Sequence, residues 1–326
     1  MSLEVSVIIP THNPRRDYLE KVLKGLERQT LNRSKWELVI VDNASSEMGD
    51  GRWGMGGDFE ARIVREEKLG LTHARVRGFQ EGKGEVVVMV DDDNVLKPDY
   101  LEHAVKILKK HPEMGVIGGK ALPEFEIDPP GWLKGRSSGL GLRNLGDSVI
   151  VYPDEKLPLV KGGKGQAGTK IKVTEFPDCA PIGAGMVIRR EAAWEYVMDL
   201  KKRDTVVTDR KGKSLASGGD NDICLTALKH GWTVGYFPEL ELTHLIPKAR
   251  MTLRYQRRMA RDSMRSFIVM LDQHGIQPWS SLPRWTVPLR AVRAWWQNKA
   301  WEGAKELISF ENSIGQFLGR ADISKK

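Results

Sequence analysis

Two cysteines in 326 residues, Cys179 and Cys224, leave no material for a disulfide framework, and no CxxC pair suggests a zinc ribbon or a dithiol redox centre. No run approaches the ~20 consecutive apolar residues of a membrane span. Met1-Ser2-Leu3-Glu4 leads into strand-like sequence with no basic n-region or cleavage site, so secretion is not expected and a reducing, cytoplasmic setting is. Two nucleotide signatures are also missing. The first strand is followed by Thr11-His12-Asn13-Pro14 where a dinucleotide fold would carry GxGxxG, and no GxxxxGK loop occurs. Hydride transfer on a dinucleotide fold and P-loop phosphoryl transfer lose their support. The sequence pI of about 9.3 comes with no RNA or DNA motif, so a nucleic-acid partner is not expected.

What is present is an ordinary globular balance, 40% hydrophobic and 29% charged, enough to bury a core. The net charge of +8 is unevenly spread: residues 245–326 hold 15 Lys and Arg against 6 Asp and Glu, and residues 1–244 are close to neutral. Five of the ten tryptophans, Trp279, Trp285, Trp295, Trp296 and Trp301, share that basic segment. A boundary near 245 therefore divides a body, 1–244, from a basic, Trp-rich helical tail, 245–326.

In the body, Val5-Ser6-Val7-Ile8-Ile9, Glu37-Leu38-Val39-Ile40-Val41 and Val86-Val87-Val88-Met89-Val90 read as strands. The first ends at Pro10. Between the first two, Leu19, Val22, Leu23 and Leu26 mark a helix that Asn13-Pro14 would cap, and further helices fall at 72–81 and around Leu101, Ala104, Val105 and Leu108. Strands alternating with helices predict an α/β fold with a mostly parallel sheet covered on both faces. Residues 1–122 form its first half. Residues 123–180, rich in Gly and Pro, read as a partly mobile insertion. Residues 181–244 return to order: a strand at 186–190, a helix at 191–200, a helix beginning at Asp220-Asn221-Asp222, and two short strands at 233–237 and 241–243.

Ligands of such sheets bind at the strands' carboxyl ends, which here carry Thr11-His12-Asn13, Asp42-Asn43 and Asp91-Asp92-Asp93. Three adjacent carboxylates repel one another unless a cation or hydrogen-bond donors offset them, and a hard oxygen site suits Mg2+ or Mn2+; the plain alternative is a solvated acidic turn. Asp42 is a turn former or a carboxylate accepting from a base or ribose. Asp220 and Asp222 stand where capping and the helix dipole by themselves favour Asp. His244 is a ligand or a structural histidine. Trp132, after Pro129-Pro130-Gly131, offers an aromatic face to a sugar or packs beneath a lid. Arg250, Arg254, Arg257, Arg258, Arg261 and Arg265, with the Arg and Trp of 290–301, suit either an anionic membrane surface or a solvated basic helix.

Taken in order, Pro10-Thr11-His12-Asn13, Val41-Asp42-Asn43, Gly70-Leu71-Thr72-His73-Ala74-Arg75, the acidic triplet, Gly183-Ala184-Gly185-Met186, Gly219-Asp220-Asn221-Asp222 and Thr243-His244 resemble glycosyltransferase family 2 over about residues 4–265. The resemblance implies a GT-A fold and inverting transfer of a sugar from a nucleoside diphosphate to an acceptor hydroxyl on a saccharide or lipid-linked molecule. It implies that Pro10, Thr11, Asn13 and Asp42 hold the nucleotide, with Arg75, Asp91 and Asp92. Asp93, Asp91 and His244 would hold the metal, and Asp220 would be the general base. Residues 1–122 would be the nucleotide-donor half and 181–244 the acceptor and catalytic half, and Asp222, Trp132, Gly183, Ala184 and Gly185 fall on the acceptor or sugar side. Two positions depart from the family pattern: Val76 replaces the usual Asn, and Gly219 replaces the usual Glu, a carboxylate that can touch the acceptor. A nucleotidyltransferase is the nearest alternative, but residues 11–16 lack the glycine-rich basic loop such enzymes use. An idle, membrane-associated family member is the other. A cytoplasmic protein, peripheral at the inner membrane face, is the expected setting.

Overall fold

The computed structural model describes residues 3–46, 60–136, 139–153, 173–203, 209 and 215–323, and the glycines of 162–168 lie outside them. The chain divides into two units. The first holds Met1–Glu124, Gly141–Val206 and Asp220–Leu245, and the second Phe125–Leu140, Val207–Gly219 and Ile246–Lys326.

The elements of the first unit run β1 (Val5–Thr11), α1 (Arg16–Glu27), β2 (Trp36–Asn43), β3 (Arg62–Glu66), α2 (Leu71–Glu81), β4 (Val86–Met89), β5 (Asn94–Leu96), α3 (Tyr100–Lys110), β6 (Met114–Phe125), β7 (Ile150–Tyr152), β8 (Val187–Arg189), α4 (Arg190–Lys202), α5 (Gly219–Lys229) and β9 (Thr233–Ile246). The described strands form one sheet in the order β3-β2-β1-β4-β8-β6-β9-β5, with β7 on β9. The stretch from β3 to β4 is parallel. Beyond β4 the sheet turns antiparallel, in the β4-β8, β8-β6, β5-β9 and β7-β9 pairs. Apolar runs with no polar alternation are buried on both faces, as central strands of such a sheet require. Leu19, Val22, Leu23 and Leu26 of α1 and Leu101, Ala104, Val105 and Leu108 of α3 join the same core.

Three local expectations are corrected. β1 runs through Pro10 to Thr11. Ile8 already accepts from Val90 on the β4 side, and β1-β4 pairing ends at the Ile8–Met89 register. Residues two apart point the same way, so Pro10 turns its missing donor toward the gap where β4 has stopped, and no ladder bond is lost. Second, Asn13 does not cap α1. It lies at φ 50, its N–H donates to Ser45 Oγ at 2.9 Å, and its Oδ1 accepts from the N–H and hydroxyl of Ser46 at 2.9 and 3.0 Å. Third, the two short strands around Pro238 are one strand, β9. Carbonyl oxygens of Phe237 and Leu240 crowd Gly119 of β6 so closely that a Cβ there would overlap both.

In the second unit, α6 (Leu253–Gln273), α7 (Val287–Gln297) and α8 (Ala304–Ile323) pack with α6 and α7 against α8. The arginine stripe of α6 is partly turned inward. Arg257 donates to Glu311 at 3.0 and 2.7 Å, Arg261 reaches the same carboxylate at 3.5 Å, and Arg265 donates to Asp322 at 2.6 Å. No described helix is long and apolar enough to cross a membrane.

Candidate functional site

The tips of β1 and β2 lie side by side, with Thr11 and Asp42 direct partners in register. Asp42 is buried. Its carboxylate is ion-paired with Arg65 of β3 and accepts the Ser45 N–H at 3.2 Å. The bond to Asp42 pushes the Arg65 pKa higher still. The Thr11 hydroxyl donates to Asp92 Oδ2 at 2.5 Å, tying the first strand tip to the acidic triplet. That triplet is a built turn. The Asn94 N–H donates to the Asp91 carbonyl at 3.0 Å, and Asn94 Oδ1 accepts from the Asp91 N–H at 3.3 Å. The three carboxylates are thereby set apart: Asp91 half-buried, Asp92 on Thr11, and Asp93 buried.

Asp93 Oδ1 accepts from Asn94 Nδ2 at 3.0 Å and faces His244 Nε2 at 3.4 Å. His244 stands opposite Asn94 in the β5-β9 register, and its Nδ1 lies 3.1 Å from the Gly141 carbonyl. A carbonyl only accepts, so Nδ1 carries the proton. Nε2 is then the ring nitrogen that faces the Asp93 carboxylate, the arrangement in which imidazole and carboxylate would share a metal ion. Metal-ligating histidines use their second nitrogen in this manner. One carboxylate oxygen and one imidazole nitrogen fit a divalent ion whose other ligands are substrate phosphate and water. Among the described residues no three His, Cys, Asp or Glu side chains gather as a metal cage, so Asp91 does not close a triad with this pair.

A second cluster is built around Asp220, in the first turn of α5. Its Oδ2 accepts the Gly183 N–H at 3.0 Å and its Oδ1 the Asn221 N–H at 2.9 Å. Two donors fix the carboxylate, and each oxygen keeps a further lone pair. Arg75 of α2, itself buried, passes Gly183: a Cβ at 183 would stand 2.6 Å from Arg75 Nη2 and 3.7 Å from Asp220 Cβ. Glycine there lets guanidinium and carboxylate occupy one place. The same segment is tied to the sheet by Met89 N–H on the Met186 carbonyl at 2.8 Å and by the Tyr100 hydroxyl on the Gly185 carbonyl at 2.5 Å. Burial pushes the Tyr100 pKa up, keeping that phenol protonated as the donor. Ala184 between them is half-buried.

Asp222 departs from its expected role. It is fully buried, its Oδ1 accepts Arg203 Nη1 at 2.7 Å, and Arg203 Nη2 also donates to Thr226 Oγ1 at 3.0 Å. The pair clamps α5 to the end of α4 and leaves Asp222 no surface for an acceptor. Trp132 lies in the second unit, half-buried in the turn at 131–135. Arg65, Asn94, Gly141 and Arg203, absent from the sequence reading, orient Asp42, the triplet, His244 and α5 respectively. Arg65, Gly141 and Arg203 stand 19 or more residues from their partners, so no local pattern announced them.

This arrangement can be set beside known proteins. The glucosyl-dolichyl phosphate glucuronosyltransferase of Haloferax volcanii is 28% identical over 200 residues, 55% of this chain and 63% of that protein. The dolichol-phosphate mannosyltransferase of Pyrococcus furiosus is 29% identical over 119 residues, 35% of this chain and 32% of that protein. The matches thus span less than two thirds of these curated relatives. Among solved structures, the mannosyltransferase PcManGT from Pyrobaculum calidifontis, in complex with GDP-Man and Mn2+, matches with a TM-score of 0.54 at 18% identity, covering 100% of this chain and 89% of that one. It shares the GT-A α/β fold. The family model for glycosyl transferase family 2 matches residues 6–196, more than half of the sequence, and the chain belongs to that family.

Proposed function

We propose that the protein transfers a sugar from a nucleoside diphosphate to a hydroxyl of a saccharide or lipid-linked acceptor, with inversion at the anomeric carbon. The observation that carries this reading is the Asp220 carboxylate, held by Gly183 N–H beside Arg75 and in the same unit as Asp42, Thr11, Asp92, Asp93 and His244. In this reading Pro10, Thr11, Asn13 and Asp42 border the base, Asp91 and Asp92 face the ribose, and Arg75 serves the phosphates. Gly183, Ala184 and Gly185 form the floor under the sugar. The acceptor oxygen attacks the anomeric carbon as its proton passes to Asp220. The bond from that carbon to the diphosphate oxygen breaks, and the nucleoside diphosphate leaves with the electron pair. General-base help of this kind is worth about 10²–10⁴-fold.

Asp93 and His244 are the residues that would hold Mg2+ or Mn2+, which when bound supplies positive charge to stabilise the departing diphosphate. The fold neighbour's complex with GDP-Man and Mn2+ supports both donor class and metal. Two relatives named for dolichyl phosphate support a lipid-linked acceptor. Such an acceptor requires work at a bilayer surface, so peripheral attachment at the inner membrane face of a cytoplasmic protein belongs to the same reading.

Isothermal titration of UDP, GDP and dTDP, each with Mn2+ and again with EDTA, tests it. Metal-dependent binding of one diphosphate is expected and names the base. Binding by none of them would overturn the donor site and leave an idle family member, the reading that Gly219 suggests.

A further inference from the structure

We infer that the outer face of α7 is a docking surface for anionic lipid headgroups, with its apolar stripe seated at the boundary between headgroups and acyl chains. Leu289, Val292 and Trp296 recur at spacings of three and four, which puts them on one side of α7, and Trp285 stands in the 3-10 turn Arg284–Thr286 that leads into it. They remain 67%, 62%, 66% and 74% exposed. Trp301, 51% exposed, stands edge-on to Trp296 with ring centroids 5.0 Å apart and extends the patch. The helix has already spent its inward side: Ala294 is buried, and Trp295 meets Phe310 of α8 edge-on at 5.2 Å. A contiguous apolar face left outside after packing marks a surface with a partner.

Charge selects which partner. From residue 273 to 301 the chain has no Asp or Glu, and Arg290 and Arg293 fall among the apolar residues, whereas Arg284 is paired with Asp322 at 3.1 Å and Lys299 with Glu302 at 3.2 Å. Indole rings and aliphatic side chains flanked by arginine match the headgroup layer of an anionic leaflet. A second copy of this chain would bring Arg290 and Arg293 of two such faces together and repel. The eleven-residue helix is far too short to span, so it would lie in the plane of the interface. The arginines of α6 are a poorer candidate, because Arg257, Arg261 and Arg265 turn to Glu311 and Asp322 of α8.

The inference rests on the membrane-attached reading only for its purpose, and its test needs no substrate. The full chain is sedimented with vesicles of phosphatidylcholine plus phosphatidylglycerol, and with phosphatidylcholine alone. The expected result is pelleting with anionic vesicles and a blue shift of tryptophan emission. Leu289→Ser with Trp296→Ser should weaken partition about tenfold or more with the fold intact by circular dichroism, because both side chains are already in water in the unbound protein. Arg290→Gln with Arg293→Gln should remove the preference for anionic lipid. Equal pelleting of the apolar double variant and the parent would overturn the inference. So would a concentration-dependent dimer without vesicles that the same double variant abolishes, which would assign the face to a second copy. Vesicle binding without nucleotide binding would leave this inference standing and remove the transferase reading.

Discussion

Two backbone N–H groups, of Gly183 and Asn221, hold the Asp220 carboxylate, so replacing it changes chemistry more than structure. In Asp220→Asn the amide oxygen can still accept from Gly183, and nucleotide titrations should match the parent. Sugar transfer to a hydroxyl should fall by about 10²-fold or more, read as kcat in a radiolabelled transfer assay. Unaltered turnover would remove the base role. An acceptor already anionic, such as a phosphate monoester, has no such need, so the variant also separates the two acceptor chemistries. Much of this site was legible at residue scale: strand tips ending in Thr11, Asp42 and the acidic triplet announce themselves as polar stops on apolar runs. What was not legible is the pairing. Arg65 on Asp42 and the Gly141 carbonyl on His244 come from distant segments, and Asp222 looked like Asp220 because both favour a helix start.

At the scale of elements, the contact between β6 and β9 is the tightest constraint on the sheet's antiparallel half. Gly119 faces backbone oxygens rather than a movable side chain, so an added methyl has nowhere to go. Gly119→Ala should cost about 3 kcal/mol, measured as a lowered urea midpoint with unchanged slope. A midpoint within error of the parent would mean β9 can shift there. This contact also explains a limit of the sequence reading. Gly118-Gly119-Lys120 interrupts the apolar pattern of β6, and Pro238 divides β9 into two apparent strands, though both run unbroken in the sheet. β3 hid for another reason: Arg62, Arg65 and Glu66 make it look like surface, and its arginines are recruited by Glu81 and Asp42. β1, β2 and β4 and the helices on 3.6-residue periods were plain, because their pattern is set by burial alone.

At the scale of the whole molecule, resistance to opening should follow burial. Amide exchange under native conditions should be slowest in β1 and β2, whose strands are almost wholly buried, and much faster in α7, where Ala294 is the one buried residue. Comparable protection in α7 would imply a cover over its apolar face in solution. The first unit is assembled from three separate stretches of chain, ending with Asp220–Leu245. That assembly imposes an order on synthesis. A chain that has emerged only as far as residue 219 already holds Thr11, Asp42, Arg75 and the acidic triplet, but neither Asp220 nor the strand that brings His244 against Asp93. On the proposed function, a nascent or truncated protein would carry the residues assigned to the donor without the means to act on it, and competence would arrive with the last 26 residues of the unit, Asp220–Leu245.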